Sequence, residues 1–122
     1  MSVECCHHWR AYIERALKRC NNLLTFDDIL ERVANHSLLW LGNGESFALV
    51  EPVRLSQTVM QLHVLVAGGT QKALYDLEAN HIIPFAKEIG AKKITMMVRM
   101  GFLRGRLNEG WKAPCVYLEK ML

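Results

Sequence analysis

Between residues 6 and 20 the hydrophobic positions recur at helical spacing, as Cys6, Trp9, Ile13, Ala16, Leu17 and Cys20. Arg10, Glu14, Arg15, Lys18 and Arg19 take the other face, so the pattern predicts an amphipathic helix ending at Asn21 and Asn22. A second helix is marked at its start. Thr25 can cap it, Asp27 and Asp28 sit in its positive first turn, Leu24 can staple onto Ile29, and the pattern fades over residues 35–37. The period then drops to two. "LLWL" leads through the turn "GNGE" into "SFALVEPV", with Phe47, Leu49 and Val53 on one face. After the polar "RLSQT", Met60, Leu62, Val64 and Val66 line one face of another strand, completing an antiparallel meander.

The helical period returns after Gly68 and Gly69. Thr70 is the expected N-cap, Gly90 the expected C-terminal cap, and Leu74, Leu77, Ile82, Phe85, Ala86 and Ile89 form the buried stripe. Pro84 lies inside this helix and predicts a kink with a freed carbonyl near Asn80. "KKITMMV" is apolar on both faces, as a central strand should be. A short helix over "GFLRGRL", ending near Gly110, and a last strand "CVYLEKML" complete the order α-α-β-β-β-α-β-α-β. This is an α+β sheet layered with helices, a single domain over residues 1–122.

Composition changes this picture little. The chain is 51% apolar and 22% charged with three prolines, which argues against disorder. Its net charge of +3 is too mild to make nucleic acid the default partner. No apolar run approaches bilayer length, and "MSVECCHHWRAY" lacks the apolar core of a signal peptide. Cys5, Cys6, Cys20 and Cys115 lack the spacing of a disulfide framework, so a soluble protein of a reducing compartment is expected. "CCHH" at residues 5–8 looks like a set of zinc ligands, but successive helical residues point about 100° apart and cannot converge on one ion. No metal is expected.

The element order, together with "QLHVLVAGGTQKAL", "AKKITMMV" and "RGRLNEGWK", resembles the Gcn5-related N-acetyltransferase (GNAT) fold from about Glu45 to Leu118. Leu39-Trp40, Ser46–Val50, Leu62–Gly69, Phe85–Gly90, Arg99–Leu107 and Gly110-Trp111 resemble, more narrowly, small GNAT-like proteins of tailed phages, some of them virion-associated. The resemblance implies a GNAT-like mixed, mostly antiparallel sheet flanked by helices. It also implies that acetyl-CoA, if bound, would lie on Val66, Ala67, Gly68, Gly69, Thr70, Gln71 and Lys72. The family's loop is typically [Q/R]-x-x-G-x-[G/A], whose N–H groups hold the pyrophosphate. Here Ala67, Gly68 and Gly69 alone separate Val66 from Thr70, with no Gln or Arg at the head of the loop. That is long enough for a tight strand-to-helix corner and too short to encircle a pyrophosphate, so no cofactor is expected.

Catalytic candidates are few. Glu51 and His63 are the available bases, each on a strand where a solvated face is the commoner explanation. The family often places a tyrosine on its late helix as general acid; this chain has Phe102 there, and Tyr117 lies on the last strand. Arg99, Arg104, Arg106 and Lys112 form the densest basic region and could touch phosphates or an acidic partner, but a solvated helix face is the favoured explanation. Val59, Gln61, His63 and Leu65, with Trp9 and Trp40, could form an interface. The expectation is a phage protein with a degenerate acetyl-CoA loop that binds other phage or host proteins in the virion or host cytoplasm and self-associates. An active N-acetyltransferase and a nucleic-acid-contacting accessory protein are the alternatives.

Overall fold

The structure is a computed structural model and describes residues 2–19, 23–97, 110–114 and 118–122. Helix α1 (Ser2–His8) and helix α2 (Arg10–Arg19) divide at Trp9 what the periodicity predicts as one helix. Cys6, Ile13 and Leu17 are buried all the same, because the break leaves the helical repeat in phase. Helix α3 (Phe26–Ala34) begins with a complete capping box: Asp28 N–H donates to Thr25 Oγ1 at 3.1 Å, and Thr25 N–H donates to Asp28 Oδ2 at 2.9 Å. Those bonds favour the ionised form of Asp28 and lower its pKa below the usual carboxylate value.

Four strands follow the spatial order β1 (Leu39–Gly42), β2 (Ser46–Arg54), β3 (Met60–Gly69) and β4 (Lys93–Met96). The first three form an antiparallel meander, and β4 joins β3 in parallel. Residues 46–50 of β2 are buried without alternation, because both faces of the sheet are covered there. Helices α1–α3 pack on one face over Phe47, Leu49 and Val66. Helices α4 (Gln71–Leu77) and α5 (Ile83–Glu88) cover the other, over Ala48, Val50, Leu62 and Val64. Phe47 is fully buried at the centre of an aromatic group, stacked on Trp40 with ring centroids 4.8 Å apart and touched by Trp9 at 5.0 Å.

Two details depart from the expected pattern. The register slips between Leu49 and Val50: Leu49 pairs with Val66, whereas Val50 pairs with Val64, leaving Leu65 as an extra residue. Leu62, Val64 and Val66 therefore do not share a face. Val66 serves the α1–α3 core and the other two the α4–α5 core. Between α4 and α5, Glu78–Ile82 form a π-helical turn in which the Ile83 N–H donates to the Glu78 carbonyl. The added residue falls just ahead of Pro84, so the helix is locally widened there where a simple kink was expected.

The predicted late helix over "GFLRGRL" lies outside the described residues, as do Cys115–Tyr117. Leu118–Leu122 are exposed and have no strand structure.

Candidate functional site

Strand β3 carries most of the residues that the sequence singles out as candidates, His63 and Val66 to Gly69. Among the described residues β4 accompanies it only from Gln61 to Val64, paired with Lys93 to Met96. The bulge at Leu65 follows at once. From there to Gly69 the margin of β3 facing away from β2 has no described strand beside it, a length of about 17 Å at ~3.3 Å per residue. Ala67 is exposed within this stretch.

At the near end of that margin, side chains from three strands stand in a row. Glu51 of β2 is opposite His63 of β3, which is opposite Thr95 of β4. Alternation from Val50, Leu62 and Val64 puts this row on the face that carries α3. His63 Nδ1 shares a hydrogen bond of 2.9 Å with Thr95 Oγ1, and no described residue bonds its Nε2. Glu51 is held instead by an ion pair with Arg32 of α3, both side chains being partly buried. The two bases proposed from sequence are thus neighbours with different surroundings. His63 is positioned with one nitrogen available, while Glu51 is engaged by a guanidinium.

At the far end is the glycine corner. Strand β3 runs to Gly69 and α4 starts at Gln71, so one residue, Thr70, makes the connection. Thr70 Oγ1 accepts from the Ala73 N–H at 3.2 Å, which leaves the first-turn N–H groups of Gln71 and Lys72 without partners inside the helix. Both glycines have packing reasons. A Cβ on Gly69, whose φ is +131°, would lie 2.5 Å from the Glu45 carbonyl oxygen, and one on Gly68 would lie 2.7 Å from the Phe47 ring. Asn43 and Ser46 hold the β1–β2 hairpin in this position. Asn43 Nδ2 and Ser46 Oγ both donate to the Ala73 carbonyl at 3.0 Å, and Asn43 Oδ1 accepts from the Ser46 N–H at 2.8 Å. Sequence reasoning missed this clamp. Its one visible trace was an Asn-Gly turn with a serine three residues on, next to a strand ending in Gly-Gly.

The remaining candidates are dispersed. Cys6 is buried in the core, where desolvation beside Cys5 raises its thiol pKa to about 11. His7 lies edge-on to Phe26 and His8 edge-on to Trp9. Among the described residues no cluster of three metal-ligating side chains exists. Lys112 is exposed, and its neighbour Trp111 donates its indole N–H to Glu78 at 3.3 Å. Arg99, Arg104, Arg106 and Tyr117 lie outside the described residues. No helix of the described residues is long and apolar enough to cross a membrane.

Over most of its length the chain superposes on solved structures. A tetramutant of the BH1408 protein from Bacillus halodurans superposes with a TM-score of 0.62 at 14% identity, over 94% of this chain and 89% of that one. The fold is GNAT-like. TTHA1254 from Thermus thermophilus gives a TM-score of 0.58 at 19% identity over 80% of both chains. A candidate acetyl transferase from Pyrococcus furiosus gives 0.53 at 16% identity over 93% of this chain and 96% of that one. No protein-family model matches this sequence, and no curated protein matches it. At these identities the likeness establishes the GNAT-like fold and leaves activity to the geometry.

Proposed function

We propose that the protein is a protein-binding module built on the acetyltransferase fold with its cofactor corner closed, acting on virion or assembly proteins of a tailed phage. The single observation that supports this is the one-residue connection at Thr70, held shut by the Asn43–Ser46 clamp. A pyrophosphate needs several convergent N–H groups along a loop. This corner offers those of Gln71 and Lys72, and the Lys72 side chain beside them is exposed. The resemblance of the sequence to small tailed-phage proteins supports phage or host proteins as partners, and the exposed positions Leu23 and Leu55 are compatible with self-association. Isothermal titration of the folded chain with acetyl-CoA tests the reading. No heat at millimolar cofactor is the expected result. Micromolar binding, weakened by Lys72→Glu, would overturn it.

One observation favours a second reading, that of an N-acetyltransferase. His63, oriented by Thr95, stands where β3 and β4 part. In this reading acetyl-CoA would lie along Val66 to Lys72 and His63 Nε2 would take a proton from the acceptor ammonium; the freed amine would attack the thioester carbonyl, the C–S bond would break, and the departing CoA thiolate would take up the proton lost by the new amide nitrogen. Release of free CoA thiol in the presence of a polyamine or peptide amine, lost in His63→Gln with folding intact, is the result this reading requires.

A further inference from the structure

A groove of 530 Å³ lies at the opposite margin of the sheet from β4. Its lining includes His8 and Trp9 at the end of α1, His81 of the π-turn, and Trp40, Leu41 and Gly42 of β1. The α1 and π-turn residues belong to layers on opposite faces of the sheet. A cavity touched by both must pass around the sheet's edge, and β1 is the strand at that edge. The floor is therefore the side of β1 on which no described strand pairs, and the two helical layers are its walls.

The hairpin shows which main-chain groups face the groove. Asn43 N–H donates to the Ser46 carbonyl, so pairing toward β2 falls on Asn43, Leu41 and Leu39 in alternation. The N–H and C=O groups of Trp40 and Gly42 then point away from β2, and no described residue bonds them. They are two residues apart, which is the spacing of a β-ladder. Edge strands that must stay unpaired usually carry charge, proline or a bulge. This one reads Leu-Trp-Leu-Gly and has none of these; it is short, at four residues, and recessed between α1 and the π-turn.

We infer that β1 accepts an extended segment of a partner protein as an added strand, with apolar and acidic residues in alternation. The inference rests on the protein-binding reading above. The recess selects an isolated strand: a second copy of β1 would arrive with its own α1 and π-turn projecting on both sides, and these walls would collide. The lining selects side chains by face. On one face the Trp40 indole lies over Gly42, near enough that a Cβ there would be 2.9 Å from its Nε1, and offers a flat apolar seat together with Trp9. On the other face His81 stands beside Leu41, while His8, at the end of α1, lies edge-on to Trp9 at the rim of the apolar seat. Among the described residues, two imidazoles and no carboxylate line the groove, so a carboxylate on the incoming strand meets hydrogen-bond donors and no like charge.

The test is fluorescence anisotropy of end-blocked, fluorescein-labelled hexapeptides titrated with the full chain, one alternating valine with glutamate and the other valine with lysine. Saturable binding of the valine–glutamate peptide is expected, weakened about tenfold or more by N-methylation of all its amides, as loss of ladder hydrogen bonds requires. The valine–lysine peptide should bind less well, and His81→Glu, an exposed substitution, should reverse that preference without moving the unfolding midpoint. Absence of saturation with both peptides, or binding indifferent to N-methylation, would overturn the inference. So would sedimentation showing a dimer that His81→Glu dissociates, since a second copy would then fill the groove. Acetyl-CoA titration on the same sample separates the two claims. Cofactor binding with intact peptide binding overturns the closed cofactor corner and leaves protein binding standing, whereas failure of both ligands overturns only the edge-strand inference.

Discussion

Replacing Gly69 with alanine tests whether the glycine corner is a packing feature. The residue has φ +131°, and a Cβ would stand 2.5 Å from the Glu45 carbonyl oxygen and 2.7 Å from Ser46 Cα. A side chain in so sparsely populated a backbone region costs about 1–3 kcal/mol. Relieving the overlap requires a backbone shift of the hairpin, about 1–3 kcal/mol more. Ser46 cannot withdraw freely, because its one hydroxyl proton is shared between the Ala73 carbonyl and Asn43 Oδ1 and its N–H also donates to Asn43 Oδ1. Reduced freedom of the unfolded chain offsets about 0.4–1 kcal/mol. The net loss is about 3 kcal/mol. With a urea slope of about 1.5 kcal/mol/M, the midpoint should fall by about 2 M. Gly44→Ala is the control, since Gly44 has φ +90° but nothing within 4 Å of where the new methyl group would stand, so backbone strain of about 1–2 kcal/mol is the whole effect. Urea unfolding followed by tryptophan fluorescence and circular dichroism reads both variants. If Gly69→Ala unfolds at the same urea concentration as Gly44→Ala, the overlap with the hairpin contributes nothing and the closed-corner argument fails.

Phe47→Ala removes a fully buried ring from between Trp9 and Trp40 and should cost about 3–5 kcal/mol in the same experiment. Thr25→Ala removes half of the capping box and should cost about 1 kcal/mol, while Thr25→Asn should retain most of the stability. Asp28 has its pKa lowered by the Thr25 bonds, so its contribution is present above the ordinary carboxyl value near 3.8 and is lost as the pH falls through the lower folded value. Wild type and Asp28→Asn should therefore differ in midpoint at pH 6 and converge at pH 2 to 3. Cys6, buried and with its thiol pushed up to about 11, should resist iodoacetamide at pH 8 in the native state while Cys5 is alkylated, as peptide mass spectrometry will show; equal labelling would contradict the burial.

The legible parts of the fold were those governed by local rules. The Thr25 cap, the Asn-Gly hairpin and the Thr70 start of α4 were all read correctly because each is decided within a few residues. The break at Trp9 was not, since a helix interrupted without loss of phase leaves the hydrophobic pattern unchanged. Pro84 signalled a disturbance, but whether it becomes a kink or a π-turn depends on how the widened turn meets β1 and Trp111. The bulge at Leu65 was invisible: a run of apolar residues at 62, 64, 65 and 66 is consistent with either face once both faces are buried. For the candidate site, the sequence singles out the glycine corner and, as candidate bases or acids, Glu51, His63 and Tyr117. It could not pair His63 with Thr95 or Glu51 with Arg32, because those contacts join residues 32 and 19 positions apart.

Because side chains on a strand are read in twos, the surplus residue at Leu65 makes β3 one letter longer than the message it is paired with. Shortening the strand by that letter should be forgiven. Without Leu65, Val64 opposite Val50 and Val66 opposite Leu49 become consecutive pairs, and each side chain keeps its own helical layer. Shortening it at Leu62 instead would close the same register but carry His63 into the place that Leu62 leaves among Val50, Leu77 and Ala86. The imidazole would then enter an apolar core and lose Thr95. Where along β3 a deletion falls should therefore decide whether the chain still folds.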